Sequence, residues 1–461
     1  MVKKSDKSQD KIYNSIVKII SNNAKIDIKI PYKTEHQGQS IGTGFFFDKK
    51  GHILTAAHVI EHSAEIWLNM PSYGKKIFKA NIISVYPDFD IAVIKIINFK
   101  NKEYLSLGNS DEVKLRDDVY VIGYPNNPDY PIITSGTISG SRTNYIQTDT
   151  PVNSGNSGGP LLNKNNKVVG VTSAVIRNSE NSSLITPINI FKENKKFILE
   201  NKKKIIYKNV LGILLVNSTD NYKQLYGHSK ECKEGIIVKK ILNKSPLKKY
   251  LTEGDVICSI NNGNKTYNLD YYGESNEKDY AGKISLTDIV KRCVPYQKIS
   301  IKYWSILDKT TKEVSVKLRT FDELYPVKKL FFPISKLDYE IYAGMILMDL
   351  TTNHLSTPEF RHLLYIIKNQ EIYNNQLVIT HIFPSSKISE YGSISEYTLV
   401  KKINNKKVNS LSKFREALKT PILSNGQKFF ILETSGFDKV ILNLDEIELE
   451  TNDIKNKYFI K

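Results

Sequence analysis

With 461 residues the chain has room for about three domains, each able to bury its own core. A composition of 40% hydrophobic and 25% charged residues, without a long Pro/Gly tract, excludes a collagen-like or low-complexity chain. The formal net charge of +18 comes from scattered lysines in runs no longer than Lys202–Lys204, the pattern of a solvated surface, and with no helix-turn-helix, zinc or RNP phrase no specific nucleic-acid partner is expected.

Met1–Asp10 is polar, and the mildly apolar Tyr13–Ile20 holds Lys18, so the sequence offers no secretory h-region. No window approaches the ~18 uninterrupted apolar residues of a spanning helix. The expectation is a soluble, intracellular protein without a membrane span. Cys232, Cys258 and Cys293 are odd in number and form no C-x-x-C pair. Neither a disulfide framework nor a metal site is expected, only buried free thiols in a reducing compartment.

A flexible tail is expected over residues 1–12. From Tyr13 onward, short runs rich in β-branched residues are cut by regular turn signals. Ser15–Ile20, Ala24–Ile30, Gly42–Phe47, His52–Ala56, Ala64–Leu68, Phe78–Val85 and Ile91–Ile96 read as strands. A second set follows at Asp118–Gly123, Ile132–Ser139, Tyr145–Thr148, Gly159–Leu162, Val168–Ala174 and Leu184–Pro187. Two consecutive clusters predict two antiparallel barrels side by side over residues 13–200, because closure removes the edges such short strands would leave. Phe197–Lys208, with apolar positions at helical spacing, reads as a short helix leading out.

Three phrases carry chemistry. Thr55-Ala56-Ala57-His58-Val59-Ile60 follows a strand, and its small residues allow a turn that lifts the imidazole out of the core, although a lone histidine is more often a packed one. Asp90 adjoins the apolar run Ile91–Ile96, where a buried carboxylate must be partnered, whereas Asp88 reads as a turn residue. In Asn153–Leu162 glycines enclose Ser157, as a nucleophile requires when backbone N–H groups crowd the atom it attacks; alone the stretch could be a tight loop. The order His58, Asp90, Ser157 is that of chymotrypsin-like proteases, not of subtilisins or α/β-hydrolases.

These phrases, together with Gly42–Phe47, Gly51–Val59 and Ile185–Ile188, resemble the HtrA/Deg family of trypsin-fold serine proteases over residues 13–200. The resemblance implies Ser157 as nucleophile, His58 as general base and Asp90 as its orienting carboxylate, with no metal or organic cofactor. It places the oxyanion hole at the N–H groups of Gly155 and Ser157, and the primary pocket at Pro151 and Val152. Nothing there offers a negative charge to Arg or Lys, so an aliphatic preference is expected. Thr172, Ser173 and Ala174 would pair with the substrate backbone as an added strand, and Asp149 would be structural.

Beyond the barrels, residues 209–322 resemble a PDZ domain, through Val210–Ile213, Gly235–Val238, Asn243–Leu247 and Gly254-Asp255-Val256-Ile257. The resemblance implies that the N–H groups of Leu211, Gly212 and Ile213 receive a peptide's terminal carboxylate, with Leu286–Val290 as the groove helix. A weaker copy spans residues 335–450; its Gly-Asp pair is missing and its loop Tyr342–Gly344 is altered, as in plant-type and organellar Deg proteases, so a structural or regulatory role is expected. Residues 451–461 would be a tail. The implied fold class is mainly β: a chymotrypsin-like double barrel followed by two PDZ-like α/β domains. The implied function is ATP-independent degradation of unfolded or misfolded proteins by a homo-oligomer, a trimer or a multiple of trimers, with peptide C-termini bound at the first PDZ domain. A proteolytically silent chaperone or PDZ scaffold is the alternative.

Overall fold

The computed structural model describes residues 7–142, 145–175, 183–200, 204–227, 229–279, 282–368, 373–384, 386–436 and 438–460. Contacts divide the chain into two units, Met1–Asn23 with Gly38–Leu324, and Ala24–Gln37 with Tyr325–Lys461.

In the first unit α1 (Lys7–Ser15) leads into β1 (Ile16–Ile26), β2 (Thr34–Phe46), β3 (His52–Thr55), the single turn α2 (Ala57–Ile60), β4 (Ser63–Asn69), β5 (Ile77–Tyr86) and β6 (Ile91–Ile96). These strands close into a barrel in the order β1-β2-β3-β6-β5-β4. A second barrel, in the order β10-β11-β12-β9-β8-β7, uses β7 (Asp118–Gly123), β8 (Ile132–Arg142), β9 (Tyr145–Thr148), β10 (Pro160–Asn163), β11 (Val168–Val175) and β12 (Ser183–Pro187). Helix α3 (Ile188–Glu200) follows. β6 is apolar at nearly every position because both its faces are covered: Ile91 and Val93 join Phe89, Ile188 and Phe191 in one cluster, while the alternating Ala92 and Ile94 are also fully buried.

The same unit continues through β13 (Asn209–Val210), β14 (Ile213–Val216), α4 (Asp220–Tyr226), β15 (Ile236–Ile241), β16 (Val256–Asn261), β17 (Thr266–Asn268), β18 (Glu274–Asp279), β19 (Gly282–Ser285), α5 (Leu286–Arg292), β20 (Lys298–Ser305), β21 (Thr310–Lys317), β22 (Arg319–Thr320) and α6 (Phe321–Leu324). The sheet order β14-β15-β16-β20-β21 leaves β14 at an edge. Leu286, Ile289 and Val290 of α5 pack with Leu211, Ile257 and Ile301 in the core beneath it.

The second unit contains β23 (Glu340–Tyr342), β24 (Met345–Asp349), α7 (Thr352–Leu355), α8 (Tyr365–Lys368), β25 (Leu377–Ile382), α9 (Lys387–Tyr391), β26 (Leu399–Ile403), β27 (Lys406–Lys407), α10 (Leu411–Leu418), β28 (Ile422–Ser424), β29 (Gln427–Thr434), β30 (Lys439–Asn443) and α11 (Leu444–Lys457). Its sheet runs β23-β24-β25-β26-β29-β28. Ala343 and Gly344, with φ of +50° and +70°, form the two-residue turn that folds β23 back onto β24. Tyr342 packs against Phe414 and Phe430, and Arg415 of α10 forks onto Asp338 at 3.0 and 2.8 Å while its Nε donates to Glu340 at 2.8 Å. The edge of β24 is therefore filled by the chain itself.

Several expectations are corrected. The tail 1–12 holds the start of α1, whose Ile12 is buried because the helix seals the first barrel's core. The strand expected at Ala24–Ile30 is the end of β1; Ile28 and Ile30 instead pack with Ile341, Met348 and Phe383 of the second unit. The exit helix spans Ile188–Glu200, not Phe197–Lys208, because Ile188, Phe191, Asn194 and Ile198 form its buried stripe; beyond it Ile205 bridges Val85 as in a parallel ladder, the Lys204 carbonyl accepting from the Val85 N–H at 2.7 Å and the Ile206 N–H donating to the Val85 carbonyl at 2.8 Å. Residues 451–461 are no tail: α11 reaches Lys457, with Thr451 and Ile454 buried. Cys232 and Cys258 are bridged, with Cα atoms 5.4 Å apart, because folding brings the loop before β15 against β16; only Cys293 is a buried free thiol. Positions 1–6 of the expected tail lie outside the described residues.

Candidate active site

Asp90 organises the site from its backbone outward. The 3-10 turn Pro87–Phe89 ends with the Asp90 N–H donating to the Pro87 carbonyl at 3.2 Å, and Asp90 sits in the left-handed region at φ +54°, ψ +43°. A non-glycine residue there needs compensation. Asp90 obtains it by holding the first turn of α2: its carbonyl accepts from the Ala57 N–H at 3.1 Å, and its Oδ1 from the His58 N–H at 2.9 Å. Its Oδ2 meets His58 Nδ1 at 2.8 Å and accepts from Ser173 Oγ at 2.5 Å. The carboxylate is 17% exposed and the imidazole 44%, so one partner is sheltered while the other opens to solvent. His58 is thus not a packed core histidine.

Ser157 lies on the turn between β9 and β10, half-buried. The Thr43 N–H donates to its carbonyl at 2.8 Å, and Thr43 Oγ1 donates to the Gly155 carbonyl at 2.6 Å, tying the loop to β2. Gly158, at φ +83°, leaves no room for a Cβ against Thr55 and Ala56, so the residue after Ser157 is pressed onto the stretch leading into His58. Gly155, at φ +102°, is pressed likewise onto the Tyr124 carbonyl. The Ser154 carbonyl accepts from the Asn126 N–H at 2.8 Å and the Asn156 carbonyl from the Gly159 N–H at 2.9 Å. Because C=O and N–H point oppositely in a trans peptide, the N–H groups of Gly155 and Ser157 face away from those anchors, and among the described residues neither meets an acceptor.

The remaining positions are distributed differently from the expectation. Pro151 is exposed and Val152 packs with Val121, Ile138 and Leu161 in the second barrel's core. Thr172 is not free to pair with a substrate, since its N–H donates to the Gly159 carbonyl at 2.8 Å and its carbonyl accepts from the Gly158 N–H at 2.7 Å. Ser173 sits at the bulge where β11 shifts register against β12, which turns its hydroxyl toward Asp90; sequence reasoning gave it no such part, and a bulge leaves no sequence signal. Ala174 pairs with Leu184 in the ladder. Asp149 accepts from the Thr137 N–H at 2.5 Å and from Thr137 Oγ1 at 3.0 Å, a hairpin brace. Further along, Leu211 and Gly212 are buried, the Gly212 carbonyl accepts from the Leu242 N–H at 2.9 Å, and Ile213 is half-buried on the edge strand β14. Among the described residues no group of three His, Cys, Asp or Glu could hold a metal ion.

Two closed barrels with this serine turn, and a sheet-and-helix module beyond them, define the chymotrypsin-like peptidase class with PDZ domains. Comparison with known proteins agrees: residues 42–171 match the trypsin-like peptidase domain family and residues 334–461 a PDZ domain family. The second module, read from sequence as the weaker copy, is thus the one that a PDZ family matches. Over its whole length the chain is 23% identical to the putative protease Do-like 12, mitochondrial, of Arabidopsis thaliana, covering 88% of that protein. It is 32% identical to a probable periplasmic serine endoprotease DegP-like of Pseudomonas fluorescens over 49% of this chain and 48% of that one. The chain spans about half the length of the periplasmic relatives it matches. The HtrA-type protease AlgW with tripeptide shares the fold, with a TM-score of 0.51 at 21% identity over 67% of this chain and 95% of that one. The chain thus carries a trypsin-like peptidase domain and a PDZ domain, and it is similar to Do-like and DegP-like proteases. No helix among the described residues is long and apolar enough to cross a membrane, and the named relatives are periplasmic or mitochondrial, which leaves the expected intracellular location unsupported.

Proposed function

We propose that this protein is an ATP-independent serine endopeptidase acting on unfolded or misfolded proteins through His58, Asp90 and Ser157. The observation that carries the reading is the Asp90 carboxylate, which binds His58 at both the backbone N–H and Nδ1 and so fixes the imidazole with Nε2 as its working nitrogen. Ser157 Oγ attacks the peptide carbonyl, His58 takes its proton and passes it to the leaving amine, and water then hydrolyses the acyl-enzyme by the reverse relay. The outward N–H groups of Gly155 and Ser157 support a donor pair for the developing oxyanion, each donor contributing about 3 kcal/mol to barrier lowering. An aliphatic preference before the cut is proposed on the sequence alone, since neither exposed Pro151 nor Val152, which packs in the second barrel's core, brings a charge. The free edge of β14 supports capture of peptide C-termini by strand addition with Leu211, Gly212 and Ile213 at its head, and homo-oligomeric assembly is part of the same reading.

Casein degradation by the wild type beside Ser157→Ala tests this, with fluorophosphonate labelling and oligomer size measured on the same samples. The expected result is labelling and cleavage in the wild type, neither in the variant, and an unchanged oligomer. Cleavage that survives in Ser157→Ala, or a wild type that neither labels nor cuts, would overturn the reading; the latter would favour a silent chaperone or scaffold.

A further inference from the structure

The short turn that delivers Asp90 is gripped from its far side by the PDZ segment of the same unit. The Asp88 carboxylate accepts from the Lys208 backbone N–H at 3.1 Å through Oδ2, and meets Lys208 Nζ at 3.1 Å through Oδ1. Lys208 belongs to the strand-like stretch entering β13, and its carbonyl accepts from the Phe321 N–H at 2.8 Å. Lys291, in the last turn of α5, places its ammonium 5.0 Å from the centroid of the Phe89 ring, and its carbonyl accepts from Tyr86 Oη at 3.4 Å. Tyr86 and Phe89 pack edge to face at 4.8 Å and are each 1% exposed. Next to Lys208, the side-chain amide of Asn209 caps the Cys293 carbonyl at 2.6 Å, fastening the end of α5 to the same strand. From the opposite side Thr186 Oγ1 donates to the Phe89 carbonyl at 2.9 Å.

Each residue of the turn Tyr86-Pro87-Asp88-Phe89 except the proline is thus held by a group outside the first barrel, and the residue so delivered is the one in a left-handed backbone conformation. Such a conformation persists only where the surroundings over-determine it. Burial lowers the Lys291 ammonium's pKa and the neighbouring Lys208 adds to that, with Asp88 opposing them.

We propose that Asp88 and Lys291 are positioning residues for Asp90, a clamp through which the seat of helix α5 sets the aim of the carboxylate at His58. The proposal rests on the endopeptidase reading above for its kinetic consequences. Asp88 and Lys291 touch neither substrate nor reacting atoms. A clamp made of one ion pair and one cation–π contact is matched to small adjustments, since such contacts contribute on the order of 1 kcal/mol each. The inference gives α5 a mechanical part in catalysis besides lining a groove.

The test compares wild type, Asp88→Ala, Lys291→Met, which keeps the aliphatic stem, and Lys291→Arg, which keeps the cation. Three quantities are measured: kcat and KM on a fluorogenic peptide, thermal melting, and the low-field proton resonance of His58 Nδ1–H. The expected result is a fall in kcat of about tenfold for Asp88→Ala and Lys291→Met with KM within about twofold, near-native rates for Lys291→Arg, and a shifted or broadened His58 resonance in the slow variants. The double variant is expected to be no slower than the slower single one, since both changes act on one turn. Native kcat and an unchanged resonance in folded Asp88→Ala and Lys291→Met would overturn the clamp; if Asp88→Ala does not fold, Lys291→Met decides alone. Should the wild type prove inactive, the endopeptidase reading falls while the resonance still judges the clamp, so the two failures are distinguishable.

Discussion

Replacing Ser173 by alanine isolates one bond of the site. Ser173 Oγ donates to Asp90 Oδ2 at 2.5 Å, on the same oxygen that meets His58 Nδ1 at 2.8 Å, so its loss leaves the carboxylate with one donor fewer and free to swing about Cβ. A hydrogen bond to an ionised group contributes about 1.5–3 kcal/mol. Asp90 is 17% exposed, so water recovers part of this, and about 1.5 kcal/mol is the appropriate end of the range. At 1.36 kcal/mol per decade, kcat/KM should fall about tenfold. Progress curves on a fluorogenic peptide, with fluorophosphonate labelling rates of Ser157 as a substrate-independent check, measure it. A variant within twofold of wild type would refute the reasoning, because the bond would then carry no differential weight. A loss as deep as that of Ser157→Ala would refute it too, since the serine would be doing more than holding the carboxylate.

Gly155→Ala should lower the labelling rate of Ser157 by about a hundredfold with the fold retained, because the side chain meets the Tyr124 carbonyl at φ +102° and displaces a donor contributing about 3 kcal/mol; circular dichroism and labelling kinetics together check this. Breaking the Cys232–Cys258 bridge, which closes a loop at a sequence separation of 26, should destabilise the β14–β21 module of the first unit by about 3.5 kcal/mol, seen as a lower urea midpoint under reductant that is absent in the double alanine variant. His354 is fully buried with Nδ1 accepting from the Thr351 N–H at 3.0 Å, and burial pulls its pKa from 6.5 down to about 3, against an opposing backbone contact at Ile28. The unfolded chain therefore takes up the proton first, and stability is lost as pH falls from 6.5 toward 3, by up to about 1.4 kcal/mol per pH unit. Urea midpoints across that range should flatten in His354→Asn, which retains an acceptor. Finally, since β23 fills the edge of β24 while β14 stays open, titration with a C-terminal peptide should saturate at one site per chain; two sites would contradict the assignment of β14 as the receptive edge.

The barrels were legible because each strand alternates or is continuously apolar between turn residues: the predicted Asp118–Gly123 and Tyr145–Thr148 coincide with β7 and β9. The juxtaposition of His58 with Asp90 was legible from flanking phrases, since Asp90 at the foot of β6 had to find a partner. What escaped depends on contacts between distant segments. Ser173 turns inward at a bulge, and Tyr342-Ala343-Gly344, readable as an altered carboxylate loop, is instead a tight hairpin whose strand occupies its own groove. Ala343 at φ +50° gives no warning in the sequence, and its N–H is taken by Thr451 Oγ1 at 3.1 Å on a helix that the sequence offered as a tail. The cysteine bridge likewise needed the fold of β16 to bring two unpaired-looking thiols together.

The membership of Ala24–Gln37 in the second unit has a bearing on how the chain comes to be folded. Lys29 pairs with Glu359 at 2.8 Å across 330 positions, and Ile28 lies in a cluster with Ile341, Ile346, Met348, Phe383 and Ile454. During synthesis this loop waits until helix α11 has left the ribosome, and closing so long a span is entropically slow even though doubling its length adds only about 0.6 kcal/mol. A fragment beginning at Tyr325 would present those five apolar side chains to water with their cover missing, and would aggregate unless Ala24–Gln37 were supplied as a peptide. The second unit is thus a composite, finished by a piece of chain that the ribosome makes some three hundred residues before the rest of it.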